Sequence, residues 1–130
     1  MSTAEAPMRT DLPPVMDPVA DDLANLELWL RDDAGVALPA LRDLLELVFS
    51  SGGKRIRPSL VFLTVRLGEA DHDATMNQAA GIETLHAATL VHDDLIDRAL
   101  TRRGLPTLNR RWDAGATVLA GDWLFARAAG

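Results

Sequence analysis

Residues 86–103 of this 130-residue chain run His-Ala-Ala-Thr-Leu-Val-His-Asp-Asp-Leu-Ile-Asp-Arg-Ala-Leu-Thr-Arg-Arg, an apolar stretch leading into three carboxylates and then into arginines. Asp93 and Asp97 are four residues apart, which on a helix puts both on one face about a turn apart. They fall near the C-terminus that the pattern predicts for this helix, where the macrodipole is already negative and like charges at this spacing repel. Folding alone gives no reason to gather anions there; a divalent cation does. Magnesium fits best, because it takes one or two carboxylates, keeps waters and fills its other positions with substrate phosphate oxygens. The plainer alternative is a solvated acidic helix end balanced by Arg98, Arg102 and Arg103.

A second group lies upstream. Residues 52–58 read Gly-Gly-Lys-Arg-Ile-Arg-Pro and enter the apolar run Leu60-Val61-Phe62-Leu63. Pro58 suits a first helical turn, and the two glycines let backbone come close to a bulky ligand. Lys54, Arg55 and Arg57 then crowd three cations at a helix N-terminus, itself an anion site. A phosphate or diphosphate is the natural ligand, arginine offering a fork and lysine a point charge. Alone, such a loop is more often a solvated turn. Beside a magnesium-type carboxylate set, it reads as the second half of a diphosphate site.

Together these segments resemble the trans-isoprenyl diphosphate synthase (polyprenyl synthetase) family. The resemblance rests on Gly53-Lys54-Arg55-Ile56-Arg57-Pro58, His86, Asp93-Asp94-Leu95-Ile96-Asp97 and Thr101-Arg102-Arg103-Gly104-Leu105-Pro106-Thr107, with Gly121-Asp122-Trp123-Leu124-Phe125-Ala126-Arg127 beyond them. It covers roughly residues 15–130 in matching order and spacing. It implies a Mg2+-dependent prenyltransferase that condenses isopentenyl diphosphate with an allylic diphosphate. By the same resemblance, Lys54, Arg57, His86 and Arg103 hold the isopentenyl diphosphate, Asp93 and Asp97 bind magnesium, and Arg102 holds the allylic diphosphate. Asp94 belongs to the same catalytic motif. The implied fold is an all-α helical bundle of the isoprenoid synthase type. Members of the family carry a second aspartate-rich motif on a later helix. None is present here, so the resemblance implies a bundle truncated after about its first half: a disordered segment over residues 1–15, then the N-terminal half of a synthetase domain over 16–130. It also implies a homodimer or hetero-oligomer.

The elements that must position these residues are helices. Asp17 and Pro18 predict a cap and first turn for a helix to about Arg31, with Leu23, Leu26 and Leu30 on one stripe. A second helix is expected from Pro39, carrying Leu41, Leu44, Leu45 and Val48, and a third from Pro58 to about Leu67. The fourth, about Ala74 to Arg98, is apolar all round and is expected to be central and buried. Residues 101–107 read as an arginine-rich loop, with no convincing strand anywhere. A last helix from about Ala114 offers Val118, Leu119, Trp123 and Leu124 as core candidates. A histidine on an apolar helix is usually a satisfied core residue, but His86 lies seven residues before Asp93, two turns along one face, so it can look into the same cavity, and the resemblance makes it a substrate contact; His92 points elsewhere and is expected to make a structural hydrogen bond. Ala88 and Thr89, both small, are expected either to border a growing prenyl tail or to let a neighbouring helix pack closely, and the resemblance links small residues there to longer products.

Bulk properties exclude several classes. The formal net charge of −6, with clustered basic residues, argues against nucleic acid. The absence of cysteine excludes disulfides and thiolate metal sites. No apolar run reaches the roughly 18 residues of a membrane span, and the N-terminal residues lack signal-peptide character; a cytoplasmic location is expected. Two rival readings come from other classes. A non-catalytic fragment or partner subunit of a prenyl diphosphate synthase is one. A terpene cyclase-like protein is the other, and the Lys54 and Arg57 loop with Arg103 argues against it, since cyclases need no isopentenyl diphosphate site.

Overall fold

The structure, a computed structural model, describes residues 13–50, 53–102, 105–108 and 112–130. A short 3-10 helix, Pro14–Val19, leads into α1 (Ala20–Leu30). The sequence pattern placed the start of α1 at Asp17 and Pro18; Val19, at φ −112°, breaks the helical path and delays it. The stripe of Leu23, Leu26 and Leu30 is buried as expected. Asp32 then accepts the backbone N–H of Ala34 at 3.0 Å, and Gly35 turns the chain at φ +81°, a conformation that favours glycine. α2 (Pro39–Ser50) buries Leu44, Leu45 and Phe49. α3 (Ile56–Val65) begins two residues before Pro58 and ends two before Leu67.

The long helix α4 (His72–Ile96) is opened by Asp71, whose side chain accepts the N–H of Ala74 at 2.9 Å. Its 25 residues extend about 37 Å. Met76, Ala79, Ala80, Ala87, Ala88 and Val91 are buried on one side. The other side is open, which corrects the expectation of an all-round buried helix: Ile82 is 38 % and Leu85 46 % exposed.

Helix α5 (Ala114–Ala129), capped by Asp113 through the N–H of Ala116 at 2.7 Å, packs antiparallel along α4. The pairing is marked at one end by His92 near Val118 and at the other by Gly81 near the carbonyl of Ala128. Close approach comes from small residues. A Cβ on Gly121 would fall on the His92 ring. The buried face of α5 is therefore Thr117, Ala120, Gly121 and Leu124. Of the expected core residues, Leu124 is buried and Trp123 half-buried, but Val118 and Leu119 are exposed at 41 % and 69 %. They lie about 100° and 200° round from Thr117.

Between α4 and α5 the expected loop contains a small antiparallel hairpin, β1 (Thr101–Arg102) with β2 (Leu105–Pro106), a correction to the strand-free reading. Thr107 anchors it, donating its N–H to Leu100 at 3.0 Å and its hydroxyl to the Ala99 carbonyl at 2.7 Å. The architecture is otherwise all-α. No helix among the described residues is long and apolar enough to cross a membrane. Most of the expected N-terminal segment 1–15 lies outside the described residues; from Pro14 the chain is already in the 3-10 helix.

Candidate functional site

Two of the three carboxylates face outward. Asp93 and Asp97 are exposed on the last turn of α4, whereas Asp94, about 100° away from Asp93, is buried. Asp97 closes the helix, donating its N–H to the Asp93 carbonyl at 2.9 Å. The chain then turns sharply through Arg98 at φ 54°. The last turn of α4 contains no basic residue. Among the described residues, neither Asp93 nor Asp97 forms an ion pair, and Arg98 is not drawn onto them. Arg102 lies in β1, paired through its backbone with Leu105. Arg103, the hairpin tip and Gly52 lie outside the described residues.

Among the described residues no group of three or more histidines or acids converges into a metal cage. Two exposed carboxylates one turn apart suit an ion that takes one or two protein oxygens and completes its shell with water and phosphate.

The basic loop divides its three cations. Lys54 and Arg57 are exposed. Arg55, expected beside them, is buried at 8 % exposure in the left-handed conformation at φ 50°. Its Nε donates to Glu27 of α1 at 2.6 Å, its Nη2 to the same carboxylate at 3.2 Å, and its Nη1 to Glu83 of α4 at 2.8 Å. Burial works against the Arg55 charge, but hydrogen bonding and charge from Glu27, then from Glu83, outweigh it and hold the guanidinium above its ordinary range. Arg55 is thus part of the frame of the loop, not of its anion-facing side. The signal for this was Glu83, a lone carboxylate in the apolar run from Ala79 to Val91 that burial forces to find a cation.

His86 is half-buried one turn beyond Glu83, and its carbonyl accepts the Thr89 hydroxyl at 2.6 Å. His92 behaves as expected: its Nε2 lies 3.1 Å from the Val118 carbonyl and 3.6 Å from Asp122, and its ring packs on Phe125 at 5.5 Å.

The expected tail-bordering pair separates. Thr89 is exposed on the Asp93 side, but Ala88 is completely buried. Five residues along a helix is about 140° of rotation, so Ala88 faces the core, as its packing alternative required. The open face of α4 instead runs from Asp93 through Thr89 and Leu85 to Ile82. There it meets an open groove of about 770 Å³ whose walls include Trp29, Leu30, Gly81, Ile82, Leu85 and Phe125. Carboxylates at one end of a helix face, with apolar walls further along it, suit a ligand with a charged head bound through a cation and a hydrocarbon tail.

Residues 38–130 match the Polyprenyl synthetase family. Over 115 residues the chain is 38 % identical to an all-trans-nonaprenyl-diphosphate synthase (geranyl-diphosphate specific) from Rhodobacter capsulatus, a match covering 88 % of this chain and 35 % of that one. It is 39 % identical over 109 residues to heptaprenyl diphosphate synthase component 2 from Geobacillus stearothermophilus, covering 84 % and 34 %. Its fold is similar to the crystal structure of a polyprenyl synthase from Caulobacter crescentus CB15 complexed with calcium and isoprenyl diphosphate, with a TM-score of 0.77 at 36 % identity, covering 85 % of this chain and 34 % of that one. The chain spans about a third of the length of these relatives.

Proposed function

The chain belongs to the polyprenyl synthetase family, and from that membership we propose that it supplies the first aspartate-rich motif and the isopentenyl diphosphate loop of a prenyltransferase of isoprenoid biosynthesis. Its all-α fold is that of the isoprenoid synthases. The observation that carries the proposal is the single open face of α4, with Asp93 and Asp97 at one end and the Ile82 and Leu85 groove along it.

In this reading Asp93 and Asp97 hold Mg2+, which as a Lewis acid neutralises the leaving diphosphate when bound. Arg102 adds positive charge where the leaving group gains negative charge. Lys54, Arg57, His86 and Arg103 hold isopentenyl diphosphate so that its double bond faces the allylic carbon. The allylic carbon–oxygen bond breaks, its electron pair leaving with diphosphate; the double bond attacks the resulting cation, and proton loss restores unsaturation. Within an intact synthase, the apolar walls along α4 would shield the cation from water, which favours transfer over hydrolysis. Asp94, buried beside the pair, belongs to the same catalytic motif. The solved relative complexed with calcium and isoprenyl diphosphate supports a divalent cation and a prenyl diphosphate as joint ligands. A cytoplasmic site of action belongs to the same proposal.

The test is calorimetric titration of the chain with magnesium diphosphate. Saturable binding that Asp93→Ala weakens is the expected result, as is binding of metal-free isopentenyl diphosphate that Lys54→Ala weakens; binding of each ligand indifferent to its own substitution would refute the assignment. A second reading is a partner subunit acting within a homodimer or hetero-oligomer. It is supported by a relative named component 2 of its synthase. Native mass measurement of the chain, alone and with candidate synthase subunits, separates the two.

A further inference from the structure

Arg55 has no role in the proposed chemistry, yet it is the most heavily engaged side chain near it. One guanidinium joins three elements: Glu27 on α1 at 2.6 Å, Glu83 on α4 at 2.8 Å, and the carbonyl of Phe49 near the end of α2 at 3.4 Å. Arg31 reinforces the group, donating to the same Phe49 carbonyl at 3.0 Å and lying 3.8 Å from Glu27. The backbone of Arg55 is in the left-handed region, which an L residue with a Cβ adopts only when its surroundings hold it there. Its hydroxyl neighbour Ser59, itself buried, donates to the Arg55 carbonyl. Backbone and side chain of this residue are therefore both fastened.

Lys54, just before it, and Arg57, two residues after it, are exposed. Glu83 lies one turn before His86, about 4.5 Å along the axis of α4. We propose that Arg55 is a positioning residue: clamped between Glu27 and Glu83, it sets Lys54 and Arg57 in register with His86 so that the three close on one diphosphate. This rests on the assignment of those three residues to isopentenyl diphosphate. A loop with adjacent glycines otherwise has wide conformational freedom, and ordering it on binding would reduce affinity. A guanidinium is the one side chain that engages two carboxylates and a carbonyl through separate N–H groups in one plane.

Loss of the fold and loss of register are separated by a variant without buried charge. Replacing a buried ionic group wholesale by apolar residues is often neutral or stabilising. Arg55→Met with Glu83→Leu and Glu27→Gln should therefore melt close to the parent. Titrated with metal-free isopentenyl diphosphate, the full chain carrying these changes should bind at least about tenfold more weakly, a loss of about 1.4 kcal/mol. Its affinity for magnesium-loaded geranyl diphosphate at Asp93 and Asp97 should be unchanged. Arg55→Lys, which keeps the charge but loses the fork, should fall between parent and triple variant. Unchanged isopentenyl diphosphate affinity in the stably folded triple variant, or an equal fall for both ligands, overturns the positioning role. If the triple variant does not fold, Arg55→Lys decides by the same two affinities. If Lys54→Ala leaves the parent affinity intact, the assignment of the loop fails first, and the positioning role with it.

Discussion

Asp93 and Asp97 stand exposed at a negative helix end with no cationic partner among the described residues, so their electrostatic cost is local and their removal relieves it. Asp93→Ala should lower the turnover of an intact synthase carrying these residues by orders of magnitude, while the melting temperature holds or rises. Turnover at saturating magnesium with a thermal melt of the same sample checks both halves. Gly121 gives a different kind of prediction. A Cβ there would fall on the His92 ring, whose Nε2 is held at the Val118 carbonyl. Gly121→Ala should cost about 1–3 kcal/mol by overpacking, measured by urea denaturation. In a His92→Ala background the same change should cost much less, because the contact it violates is gone.

At the scale of the element, α4 is the organising piece. One side packs against α3 and α5; the other carries Asp93, Thr89, Leu85 and Ile82 from the carboxylates to the groove. Product length should therefore respond to the open side. In an intact synthase, Leu85→Ala should extend the product distribution and Leu85→Phe should shorten it, read by mass spectrometry. Ala88→Phe should instead reduce stability, because a ring is forced into a fully buried position. A shortened product with an unchanged melt for Ala88→Phe would show that the tail passes on the packed side. The N-terminus of α4 is fixed by Asp71, and Asp71→Ala should cost about 1 kcal/mol through the lost cap.

At the scale of the molecule, large apolar side chains remain uncovered. Leu28 and Trp29 on α1, Leu85 on α4, and Val118 and Leu119 on α5 are all more than a third exposed. Apolar area of this extent favours association. The 130-residue chain should elute as an oligomer or bind detergent. It should also give no elongated product from radiolabelled isopentenyl diphosphate and an allylic diphosphate with magnesium, since the family's second aspartate-rich motif is not among its residues. Clear product would show that one carboxylate set is enough for transfer.

Periodicity and punctuation in the sequence were sufficient for the helices, the Leu23, Leu26 and Leu30 stripe, and the placing of Asp93 and Asp97 on one face, because these depend on spacing along a single helix. The motif order was likewise sufficient for the family. Spacing could not tell which face of α4 or α5 is covered, since both sides of each carry apolar residues and only the neighbouring helix selects one. The close crossing at Gly121 and His92 turned Val118 and Leu119 outward and Ala88 inward. Nor could a run of three cations in sequence reveal that the middle one turns inward. Arg55 is drawn away from Lys54 and Arg57 by carboxylates 28 residues to either side, and such a pairing exists only once α1 and α4 are packed together.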